Sequence, residues 1–234
     1  ITSHQKSFKI GLVSLLSVLI FAVGFLAWVP PVSRDALTHH LVVPKLYLQH
    51  GGIYEIPSIV FSYYPMNLDL LYMIPLYFGN DIVPKYIHFF FALLTAGLIF
   101  YYLRKRLGNE WGLFGTVLFL SLPLIVKLSI TIYVDLGLVF FSTAALLSLL
   151  EWIENRFQLK FLLLSATCCG LALGTKYNGL IVLFLLTLFI PFIYINNYKK
   201  NFNVKDTGNR TIFIRNQLKA IRFITKFFMF ELLV

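Results

Sequence analysis

The chain has 234 residues, of which 59% are hydrophobic and 13% are charged, and its mean hydropathy is +0.79. Soluble domains are about 45–50% apolar and about 25% charged, so this composition excludes an ordinary soluble domain and indicates a helical membrane protein. The net charge of +10 does not indicate a nucleic-acid partner. The basic residues are concentrated in short segments between apolar runs, which is typical of cytoplasmic loops.

Apolar segments recur along the whole chain. They cover residues 10–29, 67–79, 84–103, 111–128, 134–152, 160–175, 178–195 and 221–234. A spanning helix needs about 20 apolar residues, whereas 67–79 is shorter and has Pro75 near its middle. We therefore predict that 67–79 lies on the membrane surface and that the other segments cross.

The distribution of basic residues supports this topology. If 67–79 does not cross, the four basic clusters all fall on one side of the membrane: Lys6 and Lys9; residues 104–106; Arg156 and Lys160; and the cations of 199–226. The positive-inside rule then places them, and the N-terminus, in the cytoplasm. A multi-pass protein of a bacterial-type plasma membrane is expected, surrounded by membrane lipids.

The predicted fold is an all-α, polytopic transmembrane bundle with two interfacial helices, about 35–50 and 66–79, in the first external loop. Residues 1–234 are interpreted as one transmembrane domain, with 30–83 as that loop and 196–220 as a basic cytoplasmic loop. The sequence lacks an initial Met and ends in an apolar run, so we expect an N-terminal part of a longer protein. Cys168 and Cys169 are adjacent and predicted to be core residues rather than a disulfide.

Asp35 follows the first span directly and begins a helix-like stretch. His39 lies four residues further and shares its helical face, whereas His40 lies about 140° round in an α-helix. We interpret these three residues as catalytic candidates, with Asp35 also a candidate metal ligand. The alternatives are helix capping by Asp35 and interfacial histidines with satisfied hydrogen bonds.

Asp135 lies at the mouth of a later span. In the predicted topology it is external, on the same side as Asp35, a conclusion that used only the basic residues. A carboxylate deep in the bilayer would cost about 2.5–3.5 kcal/mol on insertion scales, so a position at the helix mouth, facing protein or water, is expected. We predict a catalytic or metal-binding Asp135, with interfacial capping of its helix as the alternative.

Several cations and aromatic residues are candidates for substrate binding. Lys176 and Tyr177 interrupt the apolar run 160–195 on the predicted external side, where a cation departs from the positive-inside rule. Lys45, Arg34 and Tyr64 lie in the first external loop. A snorkelling lysine and an aromatic belt are the structural alternatives.

The order of these features resembles a known family. It comprises Asp35 opening the external loop, a surface helix ending at residues 47–52, Tyr64-Pro65 before the second surface helix, a span ending at 104–106, Asp135, and the turn 173–179. Over about residues 10–195 this set resembles the N-terminal module of the GT-C membrane glycosyltransferases. The most similar branch is the protein mannosyltransferase (family 39) and lipid A aminoarabinose transferase group.

The resemblance implies transfer of a sugar from a polyprenyl-phosphate-linked donor to a lipid, polysaccharide or protein acceptor, on the periplasmic or luminal side. It implies that Asp35 is the base for the acceptor hydroxyl or a metal ligand, that Asp135 is the second acidic position, and that Lys176 is a binding residue. A divalent metal, Mg or Mn, on Asp35 and Asp135 is also implied. Residues 62–66 depart from the acidic-Lys-Pro-Pro element of the aminoarabinose branch, although Asp69 follows one helical turn later.

The alternative hypotheses are a transporter or flippase for a lipid-linked sugar or an ion, and a non-catalytic membrane subunit. Transport sites lie near the bilayer midplane, whereas the candidates here cluster at one predicted face. Substitution at an anomeric carbon requires a base for the incoming hydroxyl and a cation for the departing phosphate. The external loop offers both, so we favour a transferase.

Overall fold

In the computed structural model, residues 3–201 and residues 222, 225 and 226 are described. All regular secondary structure in these residues is helical, which confirms the all-α prediction. The chain divides into two compact units, residues 1–140 and 141–234. The predicted apolar segment 221–234 and most of the basic loop 196–220 lie outside the described residues.

The first unit contains the long helices and the predicted external loop. Its elements are α1 (Ser3–Ala27), a π-helical turn (Ala36–His40), α2 (Val42–His50), a 3₁₀ turn (Val60–Tyr63), α3 (Asn67–Tyr77), α4 (Val83–Leu107), α5 (Asn109–Ser121), α6 (Pro123–Ser129) and the beginning of α7 (Asp135–Glu154). The second unit contains the rest of α7, α8 (Leu159–Thr175) and α9 (Gly179–Asn201).

Three helices in the described part of the chain are long and apolar enough to cross a membrane. They are the segment Lys6–Ala27 of α1, the whole of α4, and α7. The helix α8 and the segment Gly179–Tyr194 of α9 are apolar but shorter. Helices therefore occupy the predicted segments 160–175 and 178–195, while their crossing stays a prediction.

The helices α1 and α4 run antiparallel as neighbours. At one end, Lys9 forms an ion pair of 3.5 Å with Glu110, just after α4. At the other, the Lys85 amine donates to the Val29 carbonyl, and the Tyr86 hydroxyl donates to the Gly24 carbonyl at 2.9 Å. The chain thus runs out along α1 and returns beside it as α4. The helix α3 lies between them in sequence and has 11 residues, about 16 Å, which agrees with a surface position.

Two predicted helices are interrupted in the structure. The segment 111–128 is not one straight span, because α5 and α6 meet at a bend of 67°. Leu122 is driven to an extended conformation (ψ 126°) by the proline that follows it. The predicted helix 35–50 is likewise divided into the π-helical turn and α2.

The contact between α4 and α5 depends on small residues. A Cβ atom on Gly112 would lie 3.0 Å from the Phe100 carbonyl oxygen, and one on Gly115 would collide with the Leu103 side chain. Thr116 donates to carbonyl oxygens at Gly112 (2.9 Å) and Ala96 (3.3 Å). Small residues at such positions let membrane helices approach closely.

The second unit has an apolar and aromatic core. Trp152 is fully buried, with its ring edge-on to Phe157 (centroids 4.9 Å apart) and stacked on Tyr194 (6.2 Å). Cys169 belongs to this core, and both cysteines are free thiols as predicted. The turn from α8 to α9 requires glycine at Gly179, where a Cβ atom would lie 2.6 Å from the backbone of Ala172.

Candidate active site

The candidate site begins at the π-helical turn after α1. The Leu41 amide donates to the Ala36 carbonyl at 2.9 Å, a hydrogen bond that spans five residues instead of the four of an α-helix. This turn is wound more loosely than an α-helix, so Asp35 and His40 are separated by a smaller angle than they would be in an α-helix. The angle of about 140° expected for this pair in an α-helix is wrong for this turn. π-Turns are frequent at functional sites.

Asp35 presents its carboxylate to solvent. Its side chain is exposed and makes no hydrogen bond or ion pair with any described residue. The capping alternative is therefore not observed. The Ala36 amide donates instead to the Ser33 hydroxyl, at 3.3 Å. This leaves the carboxylate of Asp35 available for a ligand.

His40 is paired with an acidic residue that the sequence analysis did not select. Its Nδ1 lies 2.7 Å from Oδ1 of Asp69, and both side chains are buried. Asp69 lies in the first turn of α3. The signal in the sequence was an acidic residue at the start of a short apolar helix, one helical turn after the residues that depart from the family motif.

His39 lies beside His40 and points to a different neighbour. The two rings have centroids 4.1 Å apart, and His39 stacks on Phe61 at 4.3 Å. Its Nδ1 is 3.1 Å from the Thr38 hydroxyl. The 3₁₀ turn thus covers the π-helical turn with an aromatic ring, and His39 is half-buried under it.

The backbone on either side of Asp135 is held by two buried side chains. The Tyr72 hydroxyl donates to the Tyr133 carbonyl at 2.5 Å. The Leu136 amide donates to Nε2 of His88 at 2.9 Å, so Nε2 carries a lone pair and Nδ1 carries the proton. That proton points to the carbonyls of Leu128 and Thr131, each 3.0 Å away. Asp135 therefore occupies a fixed position at the first residue of α7.

Tyr72 lies near both Asp69 and Asp135. Its pKa lies well above the ordinary value, first because the ring is buried and then because the charges of Asp69 and Asp135 disfavour a phenolate. The hydroxyl therefore stays protonated and remains a donor to the loop before α7. His40 approaches the same loop, with its ring centroid 5.7 Å from that of Tyr133. The structure thus groups His40, Asp69, Tyr72 and Asp135 around one loop.

A small cavity joins the first loop to the stretch before α7. It has a volume of about 110 Å³ and is lined by Ser33, Ala36, Lys85 and Thr131, among others. The residues adjoining Asp35 thus meet the residues that precede Asp135. Residues close in sequence to each of the two predicted catalytic aspartates therefore line one cavity.

The predicted binding residues are distributed over both units. Arg34 and Lys45 are exposed in the first unit, near the π-helical turn in sequence. Tyr64 is 45% exposed and meets Phe61 edge-to-face, with ring centroids 5.5 Å apart. Lys176 and Tyr177 lie in the turn between α8 and α9, where Lys176 is half-buried and Tyr177 exposed.

The donor set for the predicted metal is incomplete. Within the described residues, no three His, Cys, Asp or Glu side chains converge as the ligands of a metal ion. Asp35 and Asp135 are at most two separate carboxylate ligands, so the arrangement does not fit a metal held by protein groups alone. The predicted Mg or Mn stays a prediction, and no step below depends on it.

Comparison with known proteins identifies the family. The family model for dolichyl-phosphate-mannose-protein mannosyltransferase matches residues 50–231, which is most of the chain. The matched range includes Asp69, Asp135 and Lys176 and begins after His40. No curated protein and no solved structure matches the chain.

The match confirms the resemblance to the GT-C protein mannosyltransferases that the order of sequence features indicated. With its apolar helices, the chain is an integral membrane protein of a glycosyltransferase family. It belongs to the family of dolichyl-phosphate-mannose-protein mannosyltransferases.

Proposed function

We propose that the protein transfers a hexose or pentose from a polyprenyl-phosphate-linked donor to an acceptor hydroxyl, at the extracytoplasmic face of the membrane. Asp35 is the base that takes the proton of the acceptor hydroxyl. The acceptor is a lipid, a polysaccharide or a protein. Family membership supports the sugar and the lipid carrier, because the family is described by transfer of mannose from dolichyl phosphate to protein.

The observation that carries this proposal is the state of Asp35. It is an exposed carboxylate without a hydrogen bond or ion pair among the described residues, beside a buried polar cluster. A general base must come within hydrogen-bond reach of the hydroxyl it deprotonates. A buried or paired carboxylate would first have to break its own contacts, whereas Asp35 can accept the proton directly.

The positions of the candidate groups along the helices favour transfer over transport. Asp35 follows the end of α1, and Asp135 is the first residue of α7. Transport sites lie at interrupted helices near the bilayer midplane. Residues at helix ends are instead placed where a lipid phosphate group and a water-soluble acceptor can meet. In the first unit, Arg34 and Lys45 are the proposed contacts for the anionic donor, and Lys176 stays a predicted binding residue of the second unit.

The test is a transfer assay with Asp35→Asn. Membranes containing the full chain are supplied with polyprenyl phosphate carrying radiolabelled mannose, and the label is counted in the protein, lipid and polysaccharide fractions. Loss of the base should lower kcat by about 10²–10⁴-fold. Which fraction becomes labelled identifies the acceptor class.

Glu55→Gln is the matched control, because it removes another exposed carboxylate from the same loop and keeps an acceptor for the Tyr63 hydroxyl. It should transfer label at the wild-type rate. If wild-type membranes label none of the three fractions, the proposed transferase activity is contradicted. If Asp35→Asn keeps full activity, the proposed role of Asp35 is contradicted.

A further inference from the structure

We infer that Asp69 is a positioning residue that holds the imidazole of His40 with Nε2 toward the departing lipid phosphate. His40 then supplies the hydrogen bond and the proton that the leaving oxygen requires. The inference rests on the transfer reaction proposed above and names the groups that act on the donor side of that reaction.

His40 and Asp69 form a buried pair. Asp69 is 2% exposed, and a carboxylate that leaves water must be paired or hydrogen-bonded. His40 Nδ1 lies 2.7 Å from Oδ1 of Asp69. An ionised carboxylate only accepts hydrogen bonds, so Nδ1 carries a proton. The carboxylate thereby orients the ring, as the aspartate does for the histidine of a serine-protease triad.

Nε2 is the other ring nitrogen of His40. The hydrogen bond from Nδ1 is the only one that His40 makes within the described residues. His40 keeps 9% of its surface exposed, and Nε2 makes no hydrogen bond with a described residue. A ligand can therefore contact Nε2 while Nδ1 remains bound to Asp69.

The π-helical turn and two neighbouring rings fix the orientation of the His40 ring. The π-helical turn brings His40 closer in angle to Asp35 than an α-helix would. The His39 ring, 4.1 Å away between centroids, and the Tyr133 ring, 5.7 Å away, pack against His40 and limit its rotation. Of the residues grouped around the loop before α7, His40 is the one whose side chain can carry a positive charge and give a proton to an anion.

The acceptor oxygen forms a bond to the anomeric carbon and gives its proton to Asp35. The bond between that carbon and the phosphate oxygen breaks, and its electron pair stays on the oxygen. The His40 imidazolium passes its Nε2 proton to that oxygen, so the polyprenyl phosphate leaves as a monoanion. Water returns a proton from Asp35 to His40 for the next turnover.

The experiment is a double-mutant cycle on His40 and Asp69. His40→Asn keeps an N–H group near the position of Nδ1, so the bond to Asp69 can persist while Nε2 is lost. Release of polyprenyl phosphate from the mannose-charged donor is measured for His40→Asn, Asp69→Asn and the double variant. We expect kcat to fall about 10²–10⁴-fold in His40→Asn, and about 10²-fold in Asp69→Asn, with KM for the donor unchanged.

The double variant distinguishes positioning from mere structural support. If Asp69 acts through His40, the double variant loses no more kcat than His40→Asn alone. Losses that multiply, or a His40→Asn variant with full kcat, would overturn the inference. Ser165→Ala is the control, because it removes another buried hydrogen bond, 2.7 Å to the Ala145 carbonyl, and should leave kcat unchanged.

Each variant must also be shown to fold. Thermal unfolding in detergent shows whether each variant is folded. If Asp69→Asn is not, Asp69→Glu takes its place in the cycle, with a lower kcat expected on wild-type His40 and no further loss on His40→Asn. If wild type releases no polyprenyl phosphate, the proposed function fails. If wild type and Asp35→Asn behave as proposed but the cycle multiplies, only the present inference fails.

Discussion

The two units differ in how their buried polar groups are satisfied. In the first unit, side chains reach across helices to partners, as in the bonds from His40 to Asp69 and from Tyr72 to the Tyr133 carbonyl. In the second unit, Ser165 also donates to the Ala145 carbonyl at 2.7 Å, but the buried hydroxyls of Ser142 and Thr187 make no hydrogen bond with any described residue. The core there consists of apolar and aromatic side chains around Trp152.

The buried polar network of the first unit and the apolar core of the second have different roles. A connected polar network fixes groups in one arrangement, which chemistry requires. An apolar core stabilises helix contacts by packing and tolerates an occasional unpaired hydroxyl at modest cost. The first unit is therefore where substitutions should change activity, and the second is where they should mainly change stability.

The largest effect on stability is expected from Trp152→Ala. Trp152 has no exposed surface and contacts the rings of Phe157 and Tyr194. Its truncation leaves a cavity and should destabilise the second unit by about 3–5 kcal/mol. The apparent Tm in detergent measures this loss. Trp111→Ala, at a ring that is 56% exposed, is the control and should change the Tm little. An equal Tm for both variants would contradict the packing argument.

A smaller effect is expected from Tyr72→Phe. The change leaves the Tyr133 carbonyl without its donor, and an unsatisfied buried group costs about 1–3 kcal/mol. The exposed Tyr77 of the same helix provides the control Tyr77→Phe, which should leave the Tm unchanged. If both variants melt together, the network does not stabilise the first unit as described.

The smallest effects test the contrast between the units directly. Thr116→Val removes a hydroxyl that donates to two carbonyl oxygens, and hydrogen bonds in membrane proteins average about 0.6 kcal/mol. Thr187→Val removes a hydroxyl without a described partner and should be neutral or stabilising. The difference between the two Tm shifts is the quantity to measure. A larger loss for Thr187→Val would reverse the comparison.

The sequence predicted the fold class and the short helix α3 because both follow from length and composition, while the surface position of α3 stays a prediction. The apolar runs indicated helices, and the basic clusters indicated that 67–79 does not cross. The bend after α5 could have been found, since Pro123 disfavours a helical conformation at Leu122. The apolar run around it concealed that signal.

The candidate site was only partly predictable. Asp35, His40 and Asp135 were selected by their positions beside spans. The partner of His40 could not be selected in this way, because Asp69 lies 29 residues away and no local pattern relates the two. The π-helical turn was also missed, since the apolar periodicity that indicates a helix does not show where an extra residue enters one turn.

That turn has a consequence for comparing related chains. A π-turn arises when an α-helix accommodates one additional residue, so the angle between Asp35 and His40 depends on the number of residues in the turn rather than on their identity. In a relative that lacks the additional residue, the histidine in the equivalent position would be the fourth after the aspartate instead of the fifth. Sequence comparison across this loop must therefore allow a gap of one residue before it can match the two acting groups.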